Sequence, residues 1–455
     1  MNKKYEIDMT QGALIPKIFL FALPLMASSM LQLVFNAADT IVVGRFAGAT
    51  ALAAVGATGA LINLLINLFL GLSIGTNVLM ARYYGSKDDE KMSLVAHTSV
   101  AISVLVGIFL AILGFFVSRP VLTIMGTPND CLDQAVLYMR IYFVAMPVVC
   151  LYNFGSSILR AVGDTRRPLR YLAIAGVLNV GLNLIFVICF GLGVAGVALA
   201  TGISQCLSAF LVVRCLMRAE EGYRVELGKL KIDKAEAAQI FRIGIPAGVQ
   251  GMLFSISNIL IQSSINSFGS IAVAGNTAAT NVEFFVYFSM NAFSQAALSF
   301  SSQNYGAGIY KRVNKVLLDC QLLSAAFGVG LGLLALYFAG VLLGLYTEDP
   351  EVIQYGILRL SVILPIYLTC GMMDIISNQL RAVGFSLTPV VICVVGVCGI
   401  RILWLYTVFA SNRELTTLYW SYPVSWIITL LAEFAVYVHF MIKLNSKLKA
   451  KENVA

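Results

Sequence analysis

Apolar runs long enough to cross a bilayer recur along the whole chain, and they leave few folds open. A run of about 20 such residues spans the hydrocarbon core as a helix, because every backbone polar group must find its partner within the segment. The runs predict twelve helices, over residues 15–43, 50–80, 93–117, 135–159, 169–190, 194–217, 239–267, 271–300, 316–345, 351–380, 386–409 and 417–443. Their separators are too short to house a soluble domain. Only 12% of the 455 residues are charged, against roughly 25% in ordinary globular chains, which argues against a soluble enzyme.

Lys and Arg stay on the cytoplasmic side during insertion. Most of the 31 fall in alternate segments: the N-terminal tail, 81–92, 160–170, 214–242, 302–315, 381–385 and 443–455. The opposite loops hold Arg45, Arg119 and Arg413, and Arg140, Arg359 and Arg401 lie in or near spans. Both termini are therefore expected in the cytoplasm. The net charge of +8 is a topology signal, and no nucleic-acid partner is expected. The first apolar stretch is too long for a signal-peptide core, so it reads as a retained first span. A bacterial inner (cytoplasmic) membrane is the expected location. Nine cysteines lie scattered without CxxC or Cys/His spacing and read as small hydrophobes. No metal or cofactor is expected.

The chain repeats itself at an offset of about 221 residues. LRAVGDTRRP (Leu159 to Pro168) matches LRAVGFSLTP (Leu380 to Pro389), ARYYG (Ala81 to Gly85) matches SQNYG (Ser302 to Gly306), and Leu23-Pro24 matches Ile245-Pro246. Six helices per unit is an even number, so the copies are parallel about a pseudo-twofold axis along the membrane normal. The expected organisation is an N-terminal lobe (1–217), a cytoplasmic linker (218–238) and a C-terminal lobe (239–455). Such repeats enclose a central cleft, and rocking one lobe against the other gives alternating access.

A charge at the bilayer centre costs several kcal/mol, so each intramembrane ionisable group is a functional candidate. The acids are Asp39, Glu283, Asp374 and Glu433. At about 1.5 Å rise per residue, Asp39, Asn183 and Thr201 all fall in the outer half of the first lobe. Asn179 and Asn183, four apart, share a helix face. A carboxylate, two amides and a hydroxyl supply hard oxygen ligands for Na⁺, or a network able to hold and release a proton. Pairing with a nearby arginine or capping a helix break is the plainer account of Asp39 and of Asp374. Pro24, inside helix 1, removes an N–H and bends the helix, either as a movable joint or as a static kink. Glu283, among Asn, Ser and aromatic residues, and Asp374 are expected to meet cationic substrate or a second ion. Arg401 is a candidate counter-charge to one of these acids, with structural pairing the stronger reading, and Glu433 is left without a role. His97 and His439 read as interfacial. Aromatic and methionine side chains suit flat organic cations through stacking and cation–π contact. Gly71/Gly75, Gly244/Gly248 and Gly328/Gly332 have the spacing of close helix contacts.

The Pro24-to-Asp39 spacing, the Tyr-Gly turn after helix 2, LRAVGDTRRP, Asn179-x-x-x-Asn183 and GVAGVALATGISQ (Gly193 to Gln205) form an ordered set. It resembles the multidrug and toxic compound extrusion (MATE) family over essentially the whole chain. The resemblance implies an all-α integral membrane protein of two six-helix bundles in a V. It also implies export of organic, often cationic, compounds driven by Na⁺ or H⁺ entry. Asp39 matches the family's helix-1 aspartate, Asn179 the first polar residue of its helix-5 pair, and Thr201 its helix-6 threonine. Asn183 departs from it, because several members carry a second aspartate there. The glutamate sometimes found in helix 7 is also absent, with Ser255 and Ser257 nearby.

The leading expectation is thus a multidrug antiporter, acting as a monomer on small organic substrates among membrane lipids. A flippase for lipid-linked oligosaccharide, or an exporter of a specific metabolite, is the alternative. A flippase should show additional spans and a strongly basic cavity. A membrane enzyme would need a nucleophile with its base, or metal ligands, and neither pattern is present. GxxxxGK[ST] is absent too, so ATP is not the direct energy source.

Overall fold

The computed structural model describes residues 5–219 and 221–452, almost all of them helical. Among the described residues twelve long helices follow in order, with a short one, Ala339–Gly344, between the ninth and the tenth. The first six are α1 (Leu14–Val42, closing in a π turn, Val43–Ala47), α2 (Ala49–Ser86), α3 (Asp89–Ile124), α4 (Asn129–Val144 and Met146–Ala161), α5 (Arg166–Leu184, then a π turn, Ile185–Cys189) and α6 (Gly193–Met217). The second six are α7 (Lys234–Asn266), α8 (Ser270–Gly306), α9 (Tyr310–Tyr337), α10 (Pro350–Ile363, Leu364–Ile366 and Leu368–Ala382), α11 (Leu387–Cys393, a π turn at Val394–Gly399, Ile400–Tyr406 and Val408–Ser411) and α12 (Leu415–Glu452).

Among the described residues nine helices are long and apolar enough to cross a membrane, and α4 and α10 add two more when each bent pair is one span. The bends are 47° in α4 and 49° in α10. These helices are repeat equivalents, and Pro147 and Pro365 stand at the breaks. A proline there removes one hydrogen bond and crowds the carbonyl four residues back. The twelfth, α8, is too polar to pass as a span by hydropathy, although the sequence predicts one at 271–300. Its polar residues Asn276, Glu283, Ser294 and Ser301 are buried. A helix surrounded by protein can carry such residues where one facing lipid cannot.

By packing, the chain divides into two compact units. The first comprises the described residues of Met1–Ala13, Phe19–Val249 and Ser302–Ile309; the second comprises those of Leu14–Ile18, Gln250–Ser301 and Tyr310–Ala455. In the first unit two of the glycine pairs meet each other. A Cβ on Gly71 would land on the backbone of Gly244 and Gly248, one on Gly75 would strike Ile240, and one on Gly244 would strike Leu72. The Tyr-Gly turns also cross reciprocally: a Cβ on Gly85 would overlap the backbone of Gln303, and one on Gly306 that of Arg82. Arg82 and Gln303 are themselves repeat equivalents, so the crossing obeys the internal symmetry.

The segment 218–238, expected as a linker, is folded onto the first unit. Its two short 3-10 turns are Glu221–Tyr223 and Leu227–Lys229. Tyr223 is buried, and its hydroxyl donates to Glu6 at 2.5 Å. The backbone N–H of Asp233 donates to Thr98 Oγ1 at 3.0 Å. The N–H of Glu226 donates to His97 Nε2 at 3.1 Å, while His97 Nδ1 donates to the Ser93 carbonyl at 2.8 Å. His97 thus holds the segment from inside, with the proton on Nδ1. In the LRAVGDTRRP turn the Asp164 carboxylate accepts from the N–H groups of Arg166 and Arg167, 3.1 Å each, and pairs with the Arg167 guanidinium at 3.0 Å.

Overpacking a close contact costs about 1–3 kcal/mol. Gly71→Ala should lower the thermal unfolding temperature of the detergent-solubilised protein by that measure. Gly56→Ala, on the same helix with open space among the described residues, should leave it unchanged.

Candidate functional site

Asp39 stands in the last turns of α1, half-buried, opposite α5 and α6. Asn183 Nδ2 donates to Asp39 Oδ1 in a very short hydrogen bond and to Asn179 Oδ1 at 3.2 Å. Asn179 Nδ2 donates to Thr201 Oγ1 at 3.3 Å, and the Thr201 hydroxyl reaches Asp39 Oδ2 at 3.5 Å. The four residues the sequence singled out therefore close into one ring of hydrogen bonds. The helical spacing of Asn179 and Asn183 puts both amides on the face turned to Asp39.

One acceptor in the ring is unused. Asn183 is fully buried, and its Oδ1 has no hydrogen-bond partner. Leaving such an oxygen unsatisfied costs about 1–3 kcal/mol. The cluster gathers two carboxylate oxygens, two amide oxygens and a hydroxyl, the donor set of a hard cation. On α4, Tyr138 and Tyr142 stack on each other, ring centroids 6.3 Å apart. Pro24 lies inside α1, which continues unbroken from Leu14 to Val42, and Ser28 donates to the Pro24 carbonyl at 2.8 Å.

The second unit arranges its charges differently. Glu283, expected to meet a cation from outside, is instead gripped by Arg359: Nε to Oε1 at 2.7 Å and Nη2 to Oε2 at 2.9 Å. Arg359 Nη1 also donates to Asn276 Oδ1 at 2.6 Å, and its guanidinium lies over Tyr419 and Tyr422. Both partners are buried, so Glu283 offers no free charge in this conformation. The counter-charge is Arg359 rather than Arg401; it lies 76 residues from Glu283, and its place in a span is its only signal in the sequence.

Arg401 donates to Asn258 Oδ1 at 3.0 Å and Ser425 Oγ at 3.1 Å and stacks on Tyr422, 4.3 Å from the ring centroid. Among the described residues it has no carboxylate within ion-pair distance. Asp374 accepts from the Tyr287 hydroxyl at 3.2 Å. Glu433 is fully buried and accepts from Ser377 at 2.6 Å, with Oε2 unpartnered. Counting from the Pro24–Pro246 pair Asp39 corresponds to Ile261, and at the offset of the LRAVG match Thr201 corresponds to Tyr422. One unit carries an acid where the other carries a hydrocarbon and a nearby arginine.

Known proteins supply the family. A MatE family profile matches twice, over residues 24–185 and 246–407, each match beginning at a repeat-equivalent proline. The chain belongs to the MATE family of transporters. The probable multidrug resistance protein YoeA of Bacillus subtilis (strain 168) is 30% identical over 451 residues, 96% of this chain and 97% of that protein. A relative named FAD transporter, from Shewanella oneidensis, is 25% identical over 379 residues, 82% of this chain and 83% of its own. A solved structure of MATE in the bent conformation has a TM-score of 0.89 at 21% identity, covering 97% of this chain and 98% of that one. The MATE fold of two six-helix bundles, a multi-pass membrane protein and no enzyme, is thereby the fold of this chain.

Removing one partner of a buried ion pair costs about 3–5 kcal/mol, because the other charge is stranded. Arg359→Ala should therefore lower the unfolding temperature sharply. The double variant Glu283→Gln, Arg359→Met should recover most of the loss in the same measurement.

Proposed function

We propose that this MATE protein is a cation-coupled antiporter that exports small organic compounds by alternating access across the bacterial inner membrane, with both termini in the cytoplasm. The observation that carries the reading is the ring of Asp39, Asn183, Asn179 and Thr201, a single carboxylate set among neutral oxygens. Na⁺ or H⁺ entering at Asp39 changes the charge and hydrogen bonding at one end of α1. Pro24 gives that helix a point at which to respond. The unpartnered Asn183 Oδ1 favours Na⁺, since a metal ion takes up several oxygens at once whereas a proton engages one acceptor. Relatives such as YoeA, named for multidrug resistance, support a broad organic substrate range.

A second reading is export of a specific anionic metabolite. It is favoured by Arg401, buried without a carboxylate partner among the described residues, and by the relative named for FAD. The Glu283–Arg359 pair weakens the case for a cationic site in the second unit. What remains there for a cation is Asp374 and the aromatic rings.

In proteoliposomes loaded with a fluorescent organic cation, Asp39→Asn should abolish efflux driven by an imposed Na⁺ gradient while the protein remains folded. Unchanged efflux under both Na⁺ and pH gradients would remove Asp39 from coupling. Arg401→Gln should reduce efflux of a flavin nucleotide more than that of the cation if the second reading holds; equal effects count against it.

A further inference from the structure

A cleft of about 480 Å³ opens at the basic end of the first unit, where α5 begins and α6 ends, and Tyr5, Arg167, Arg170, Arg214 and Arg218 line it. We propose that this cleft is a binding site for the phosphodiester headgroup of an anionic phospholipid.

Four guanidinium groups around one cavity repel each other unless something negative sits among them. Asp164 answers only Arg167, at 3.0 Å. Arg170 donates to the neutral Tyr5 hydroxyl at 3.3 Å, and the Tyr5 ring lies 5.1 Å from the Arg170 guanidinium and 5.2 Å from that of Arg167. Among the described residues Arg214 and Arg218 have no carboxylate within ion-pair distance, and both are exposed. Planar guanidinium forks match phosphate oxygens pairwise. The volume lies in the range of small-ligand clefts, roughly 300–1,000 Å³.

The surface below the arginines distinguishes a lipid from a free anion. On α5 the face that carries Arg170 continues as Ile174 and Val177, four and seven residues on; they are 53% and 73% exposed. On α6 the face that carries Arg214 continues back as Phe210 and Ile203, 60% and 43% exposed. Charged heads therefore stand directly above an apolar wall running into the span, the pattern of a phosphate with acyl chains beneath it. Basic pockets between helices at a cytoplasmic surface hold lipid headgroups by this chemistry. Here Tyr5, from the segment before α1, closes one side.

The test is native mass spectrometry of the full-length protein in detergent, titrated with dioctanoylphosphatidylglycerol, dioctanoylphosphatidylcholine or inorganic phosphate. The phosphatidylglycerol adduct should weaken about tenfold or more in Arg170→Gln, Arg214→Gln, Arg218→Gln, as expected for the loss of three surface attractions. The corresponding lysine triple should keep most of the binding, which excludes misfolding as the cause. Val177→Ser with Phe210→Ser should weaken phosphatidylglycerol and leave phosphate unaffected. Equal phosphatidylglycerol binding by wild type and the glutamine triple would overturn the site. Equal binding of phosphatidylcholine and phosphatidylglycerol, or displacement of the lipid by phosphate at matched concentration, would overturn its assignment to an anionic lipid.

Discussion

A polar group taken into hydrocarbon must be satisfied by another protein group, and the rest of this structure follows from that. The backbone meets the requirement by becoming helix almost everywhere. Side chains meet it by meeting each other: Arg359 with Glu283, Asn183 with Asp39, Ser377 with Glu433. Such pairs are concentrated on a few inner faces, which is why α8 can be both a bundle helix and too polar for a membrane span. A few acceptors are left over, Asn183 Oδ1 and Glu433 Oε2 among them.

The helices and the repeat were legible in the sequence because they rest on local rules, length of apolar run and recurrence of a motif. The Asp39 cluster was legible for a related reason. Helical rise placed Asp39, Asn183 and Thr201 at one depth, and four-residue spacing placed two amides on one face. The partner of Glu283 was not legible, because depth says how far along a helix a residue lies and nothing about which way it turns. Arg401 was the candidate named, and Arg359 gave no signal beyond its place in a span. The segment 218–238 reads as a cytoplasmic linker because it is a long polar connection near the middle of the chain. Its anchors, Tyr223 and His97, are single residues whose partners lie far away in sequence, at Glu6 and Glu226.

The two repeats keep one architecture and differ in what they hold. Both α4 and α10 break at a proline by nearly the same angle, so the scaffold has been preserved through duplication. Charge has not. The first unit places a carboxylate among amides, and the second places arginines against tyrosines with one glutamate matched to one of them. The second unit also holds Asp374 and Glu433, so its charges are mixed where the first unit's cluster has a single carboxylate.

The reciprocal crossing of the Tyr-Gly turns carries a consequence for descent. At Gly85 and at Gly306 a side chain would strike the main chain of Gln303 and of Arg82. A larger residue on either copy cannot be relieved by trimming a neighbouring side chain, since what it meets is backbone. Asp39 and Ile261 differ between the repeats, but at this crossing the same geometry holds both copies to glycine.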